Sequence, residues 1–390
     1  AVVNTVVSHT GIACDSTITY NIELCNTGNG TVLINDLTPI APVPFVLKES
    51  NSISMQEMWA TYYGGTNKDY SSALAIDNNG NVYMTGSSSS SDSIATVGAD
   101  QSVYGGGSYL GGDAFLVKFN SDGVRQWATY YGGSSVEAVR DIVIDTEGNV
   151  YIAGHTTSYS GIATIGAHQV VFGGEDSWGG DAFLVKFNSN GVKQWGTYYG
   201  GTIADNATAL SIDAQNNVYM VGYAKSYNNI STTGTHQSNH GGGNGDAFIV
   251  KFNSDGIRLW GTYFGGDGND AADDVIVDLE NNIYVTGYTH SFTNVSTTDG
   301  HQTTSGGSDF FDMYKEAFLV KFDSNGQILW GTFYGGAADD FGRDLAIDMQ
   351  NNVYMTGMTE STNNIATLGS YQDTLNGTYD AFLVKFNTNG

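Results

Sequence analysis

The sequence predicts an all-β protein: a five-bladed β-propeller of four-stranded blades over residues 56–390, closed by pairing of its N- and C-terminal strands, with a short immunoglobulin-like β segment over residues 1–55 before it. Three observations carry this expectation. The motif W-[AG]-T-[YF]-[YF]-G-G begins at Trp59, Trp127, Trp195, Trp260 and Trp330, at spacings of 68, 68, 65 and 70 residues, and such periods mean one supersecondary unit per copy. Four strand-like runs recur in fixed order in each copy, as a propeller blade requires. Charged residues make up only 14% of the chain beside 12% aromatics and 52 glycines, which suits pleated, turn-rich structure better than long helices.

The first segment is set apart by composition. All three prolines (Pro39, Pro42, Pro44) and both cysteines precede Phe45, which places a boundary between Lys48 and Met58. Polar and apolar residues alternate from Ser16 to Cys25, Asn26-Thr-Gly-Asn-Gly30 turns, and Thr31-Val-Leu-Ile-Asn35 resumes, so a hairpin with one buried face is expected. A complete sandwich needs about a hundred residues. The segment would either pack on the propeller or have its missing strands supplied by residues beyond Gly390 or by another subunit, and in the last case a homo-oligomer or filament through this segment is expected. In an exported chain Cys14 and Cys25 would pair as a disulfide; the alternative is two buried thiols.

The second copy illustrates the blade. Trp127 to Tyr131 is an aromatic strand, Asp141-Ile-Val-Ile-Asp145 is an apolar run, Asn149 to Gly154 follows a tight turn, and Asp181-Ala-Phe-Leu-Val-Lys-Phe-Asn188 alternates. With the Asp141-type run innermost, the Trp strand is outermost. The last copy then lacks an outer strand, and Met58 to Gly64 is an outer strand without a blade; pairing the two completes five blades and removes open edges.

Together, W-x-T-Y-Y-G-G, the acidic loop, A-x-x-I-D-x-x-G-N-V-Y-x-T-G and D-A-F-L-V-K-F-N-x-x-G resemble the SBBP β-propeller repeat of bacterial secreted and surface proteins, over residues 58–390. The first segment resembles part of an immunoglobulin-like repeat of bacterial surface proteins. The resemblance implies export, often by the type IX pathway of Bacteroidetes, and an extracellular or cell-surface location; it fixes no reaction and no catalytic residue. The proline-containing loop usual in that family reads I-A-T-x-G or S-T-T-x-G here.

Charge narrows the partners. A formal charge of −26 argues against nucleic acid and anionic membranes, which require clustered Lys and Arg, and leaves cations, glycans and protein surfaces. No apolar run reaches the roughly 18 residues of a membrane span. The start at Ala1, without Met, is what a processed, exported product would show.

Repeated positions are expected to be mostly structural. The Trp set, the Tyr set (Tyr83, Tyr151, Tyr219, Tyr284, Tyr354) and the Phe set (Phe115, Phe183, Phe248, Phe318, Phe382) should pack blade on blade. Asp77, Asp145, Asp213, Asp278 and Asp348 should hold turns through their carboxylates, and Lys118, Lys186, Lys251, Lys321 and Lys385 should pair with carboxylates. Asp69, Glu137, Asp205, Asp270 and Asp340 lie ten residues after each Trp; as a ring round one channel mouth they would suit Ca²⁺, with solvated acidic loops as the alternative. No other cofactor is expected.

Function is expected on the long loops, such as Ser87 to Gly112 and Thr156 to Gly180, because recognition residues concentrate on loops held by a rigid scaffold. Two irregular loops stand out as ligand-binding candidates: Glu175, Asp176 and Trp178, and Asp309, Phe310, Phe311, Asp312 and Tyr314. The repeated His168, His236 and His301 should anchor their loops. The expected function is a non-catalytic structural or adhesive module that recognises glycan or protein. The competing class is a glycan-active enzyme, glycosidase or lyase, which needs carboxylates in unlike environments; the non-repeating Glu175, Asp176, Asp312 and Glu360 are its candidates.

Overall fold

The computed structural model describes residues 58–107, 111–176, 179–307 and 314–389. The chain divides into two compact units, Ala1–Thr61 and Tyr62–Gly390. Cys14, Cys25, Trp178, Asp309, Phe310, Phe311 and Asp312 lie outside the described residues.

The larger unit is all-β, with five antiparallel sheets in succession among the described residues. The first comprises β1 (Asp69–Ile76), β2 (Val82–Ser88), β3 (Asp113–Phe119) and β4 (Arg125–Tyr131), paired in that order. The second repeats the order with β5 (Glu137–Ile144), β6 (Val150–Thr156), β7 (Asp181–Phe187) and β8 (Lys193–Tyr199). The third is β9 (Asp205–Ile212), β10 (Val218–Ala224), β11 (Asp246–Phe252) and β12 (Arg258–Phe264). The fourth is β13 (Asp270–Val277), β14 (Ile283–Thr289), β15 (Glu316–Phe322) and β16 (Ile328–Tyr334). The fifth has three strands, β17 (Asp340–Ile347), β18 (Val353–Thr359) and β19 (Asp380–Phe386). Each sheet's first strand lies against the first strand of the next, as the expected blade order requires.

Packing between sheets follows from the repeated aromatics. Tyr131, at the end of β4, sets its ring 5.4 Å from Phe183 and 5.9 Å from Phe187 of the next sheet, and its hydroxyl donates to the Ile162 carbonyl at 3.0 Å. Tyr199 does the same to Phe248, Phe252 and Ile230. Each described Trp from Trp127 onward is an inter-sheet strut: the indoles of Trp127, Trp195, Trp260 and Trp330 donate to the carbonyls of Ser189, Ser254, Ser324 and Thr388 in the following repeat. The turn glycine there is required twice over. Gly256 has φ +79°, and a Cβ on it would lie 2.7 Å from the Trp195 ring.

The turn carboxylates behave as expected. Asp145 accepts the backbone N–H of Glu147 and Asn149, the Asn149 side-chain amide and the Tyr151 hydroxyl at 2.8–3.1 Å. Lys186 sets its ammonium 3.7 Å from that carboxylate and over the Tyr151 ring. Lys118, Lys251 and Lys385 likewise pair with Asp77, Asp213 and Asp348. Lys321 keeps its place over Tyr284 but donates to the Thr388 carbonyl.

The seam differs from expectation. Residues 58–64 form no strand, and β19 ends a three-stranded sheet. Leu383 is consequently 74% exposed, whereas its counterparts Leu116, Leu184, Ile249 and Leu319 are buried. Side-chain packing at Tyr63 is nevertheless that of an outer strand: its ring lies 5.1 Å from Phe115 and 6.1 Å from Phe119, and its hydroxyl donates to Ile94, matching Tyr131 one repeat on. Aromatic packing and the hydroxyl bond to the Ile94 carbonyl thus fix Tyr63 against the first sheet.

Candidate functional site

Connections between second and third strands, and between one sheet and the next, emerge at one end of the sheets; tight turns occupy the other end. The base of each long loop is held by two carboxylates, both of them buried in the second, third and fourth sheets. The first is the residue that heads each first strand. Asp205 accepts Gly201 N and Ser226 Oγ at 2.7 Å and Ser226 N at 3.1 Å. Asp270 and Asp340 repeat the glycine and serine contacts, and Glu137 reaches Gly133 N and Thr156 Oγ1. Asp69 follows the pattern with Gly65 N and Ser90 Oγ.

The second carboxylate heads each third strand, and its role was not apparent from the sequence. Asp181 accepts Gly173 N at 2.8 Å, Gly174 N at 3.2 Å and Gln169 Nε2 at 2.8 Å. The other end of that amide, Gln169 Oε1, accepts Gly200 N. Asp113 with Gln101, Asp246 with Gln237 and Glu316 with Gln302 repeat the arrangement. A Gln after each His168-type position and an acid heading each D-A-F-L-V-K-F run were the signals, both visible as recurrences at fixed spacing.

Burial dominates the chemistry of these groups. Desolvation pushes Glu137, Asp181, Asp246 and Glu316 up to about 7 and Asp113 and Asp205 up to about 6. In Glu137, Asp181, Asp246 and Glu316 the charge of the facing carboxylate adds to the rise. Loop N–H and hydroxyl groups engage one oxygen of each of Asp246, Asp270 and Asp340 and leave the Oδ1 atoms buried without a hydrogen-bond partner, and among the described residues no group of three or more His, Cys, Asp or Glu is placed to hold a metal ion.

The irregular loops present the non-repeating residues. Glu175 is exposed and accepts the Tyr159 hydroxyl at 2.8 Å. Asp176 pairs with Lys225 of the next sheet, also at 2.8 Å. Tyr314 is exposed beside the fourth sheet. Glu360 lies in the loop after β18, where it accepts a hydrogen bond from the Tyr379 side chain. The repeated histidines are packing residues: His168, His236 and His301 lie against Phe252, Phe322 and Phe386 of the following sheets.

A second set of unlike residues occupies the first strands themselves. Each carries a β-bulge whose extra residue is Ser72, Arg140, Thr208, Asp273 or Arg343. Asp141 Oδ2 accepts Leu210 N, and Asp274 Oδ2 accepts Leu345 N, so carboxylates stitch neighbouring first strands. The charge of Asp344 in the fifth sheet adds to the burial that raises Asp141 in the second. Asp274, beside Asp344, is raised to about 7, chiefly by burial.

A model of the SBBP β-propeller repeat matches residues 59–92, 126–161, 259–294 and 329–365. The chain carries SBBP repeats. Beyond the repeat, the chain is 23% identical over 399 residues to an uncharacterized WD repeat-containing protein of Acanthamoeba polyphaga mimivirus, covering 85% of the chain and 29% of that protein. It is 27% identical over 170 residues to the regulatory protein FlaEY of Caulobacter vibrioides, covering 43% of the chain and 17% of FlaEY. The chain thus spans less than a third of the curated relatives it matches. Solved structures similar to the chain include a Dyadobacter fermentans protein of unknown function (TM-score 0.37, 10% identity, 77% of this chain and 78% of that one). A Xanthomonas campestris gluconolactonase (TM-score 0.34, 12% identity, 74% and 69%) and a polysaccharide lyase family 25 ulvan lyase (TM-score 0.36, 10% identity, 73% and 64%) are two others.

Proposed function

We propose that this protein is a non-catalytic extracellular or cell-surface β-propeller that recognises glycan or protein through its long-loop end, as an adhesive or structural subunit of a larger assembly. The observation that carries this reading is the division of labour among the acids. The repeated carboxylates are spent holding loop bases, while residues that depart from the repeat, Glu175, Asp176 and Tyr314 among them, gather in the loops those bases support. On this reading residues 58–64 zip onto β19 in the register of the complete sheets, where Phe115 faces Tyr130 and Lys118 faces Trp127, and so close five blades.

The test is binding on a glycan array and to surface-protein extracts, with the intact chain and with Glu175→Ala and Tyr314→Ala. Retained ligands that both variants release are expected. Unchanged retention by both variants would remove the loops from the recognition surface.

A second reading, a glycan-active enzyme, is favoured by one pair: Asp274, pushed up to about 7 chiefly by burial, beside Asp344. A carboxyl whose proton is held more tightly than usual is a candidate general acid for a glycosidic bond. Release of reducing ends from a polysaccharide panel, abolished by Asp274→Asn, would establish it in place of the first.

A further inference from the structure

The residue three places after each second strand departs from the repeat: it is Ser91 in the first sheet and Thr362 in the fifth, but Tyr159, Tyr227 and Phe292 in the three between. Tyr159 and Tyr227 are 66% and 64% exposed, whereas the strand tyrosines of the same sheets, Tyr151, Tyr199, Tyr219 and Tyr263, are buried. The repeat therefore places these two rings at the long-loop end without using them in packing between sheets. Ser158 and Ser226, which precede them, are buried, and Lys225 and Tyr227 flank Ser226 on the solvent side.

Each exposed ring is backed by a second, buried one. Tyr159 meets Phe172 at 4.7 Å between ring centres and 60° between planes, and Tyr227 lies 4.3 Å from the imidazole of His240. Rings held in this way lose little freedom when a ligand covers them. A polar bridge then joins the two. The Tyr159 hydroxyl donates to Glu175 Oε1 at 2.8 Å; the next residue, Asp176, holds the Lys225 ammonium at 2.8 Å; and Lys225 stands two residues before Tyr227. Tyr159 and Tyr227 thus border one continuous strip of loop surface that runs from the second sheet to the third.

We infer that this strip binds a neutral oligosaccharide, a chain of equatorially substituted pyranoses, with one sugar lying on Tyr159 and another on Tyr227. The apolar face of such a sugar suits an aromatic ring, and a few placed polar groups fix its orientation. Glu175 is exposed and has acceptor capacity beyond the one bond it takes from Tyr159, which suits the sugar hydroxyls between the rings. Charge selects a neutral chain: the Lys225 ammonium is already paired with Asp176, so Glu175 would repel a uronate. A single sugar covers one ring, and a chain gains by meeting both. This deepens, and rests on, the reading of the long-loop end as a recognition surface.

The experiment is calorimetric titration of the full chain with cellohexaose, laminarihexaose and xylohexaose, with glucose as the single sugar and hexagalacturonate as the anionic chain. Saturable binding of at least one neutral hexasaccharide is expected, at least about tenfold tighter than glucose, with none of hexagalacturonate. Tyr159→Ala and Tyr227→Ala each weaken it at least about tenfold, and Tyr227→Phe, which keeps the ring, does not. Tyr227→Phe also keeps the fold, so it remains a fair comparison if either alanine variant melts early. Absence of saturable heat with all three neutral chains, an affinity no greater than for glucose, equal binding of hexagalacturonate, or unchanged affinity in Tyr227→Ala would overturn the inference. The two readings fail separately: capture of protein or charged glycan that Glu175→Ala and Tyr314→Ala release, without heat from the neutral chains, sinks this inference alone, whereas no capture of any kind removes both.

Discussion

Asp181 and Asp205 face each other across Gly200: a Cβ placed on that glycine would lie 2.8 Å from Asp181 Cγ and 2.7 Å from Asp205 Oδ2. The first G of the G-G pair in the aromatic motif is therefore a wedge of minimal size between two buried acids. Gly132, between Asp113 and Glu137, and Gly335, between Glu316 and Asp340, repeat it. Gly200→Ala is expected to cost about 1–3 kcal/mol by overpacking, read as a lower midpoint in denaturant melts with unchanged slope. A neutral outcome would mean the two carboxylates part easily.

Those acids set the pH dependence of stability. Glu137, Asp181, Asp246 and Glu316 are raised to about 7 and Asp113 and Asp205 to about 6, from ordinary values of 3.8 for Asp and 4.5 for Glu. The folded state holds their protons more tightly than the unfolded chain, so their contribution is full below about pH 4 and is lost as pH rises towards about 7. His155 and His168, held down to about 4 by burial, act in the opposite sense over the same window. Six raised acids outweigh them at about 1.4 kcal/mol per pKa unit each. The melting temperature is expected to fall from pH 4.5 to pH 7.5, and Asp246→Asn to flatten that fall. A melting temperature that climbs over this range would show that the buried acids are neutralised by something else.

Lys251 tests the turn network. Its ammonium, 91% buried, stands 3.5 Å from Asp213 and 4.8 Å from the Tyr219 ring centre. Lys251→Met leaves Asp213 with its amide and hydroxyl donors but without a cation, and a loss of about 2 kcal/mol in urea unfolding is expected. A loss under about 0.5 kcal/mol would show that the turn donors alone satisfy the carboxylate.

The repeat made much of this legible, for a physical reason. A residue that recurs five times at one spacing must do one job in five equivalent places, so strand order, the Asp77-type turns and a carboxylate partner for the repeated lysines could be read from the repeat; the lysine pairing is found at Lys118, Lys186, Lys251 and Lys385, while Lys321 donates to the Thr388 carbonyl. The acids at Glu137 and Asp205 were visible too, but their direction was not: spacing places them in a loop and cannot say that their oxygens turn inward to Gly133 N and Gly201 N. Asp181 was hidden because an acid at the head of an alternating strand reads as its polar end. Arg140 and Arg343 were hidden by the bulge, which shifts the strand register by one residue and so breaks the alternation that would have assigned them a side.

The seam offers the sharpest test, because Tyr62 is wholly exposed while its counterparts Tyr130, Tyr198, Tyr263 and Phe333 are buried. At an exposed site Tyr62→Ala changes stability by less than about 0.5 kcal/mol; at a buried aromatic site the same truncation costs about 3–5 kcal/mol. Pairing of residues 58–64 with β19 would carry Tyr62 into the place that Tyr198 holds in the second sheet and cover Leu383 with it. The expected result is a loss for Tyr62→Ala close to that for Tyr198→Ala, in a chain whose melting temperature does not depend on concentration. A loss that grows on dilution would instead mean that the strand comes from a second copy, since only association between chains makes stability depend on protein concentration. A negligible loss at every concentration would leave the fifth sheet open, with β19 as its edge.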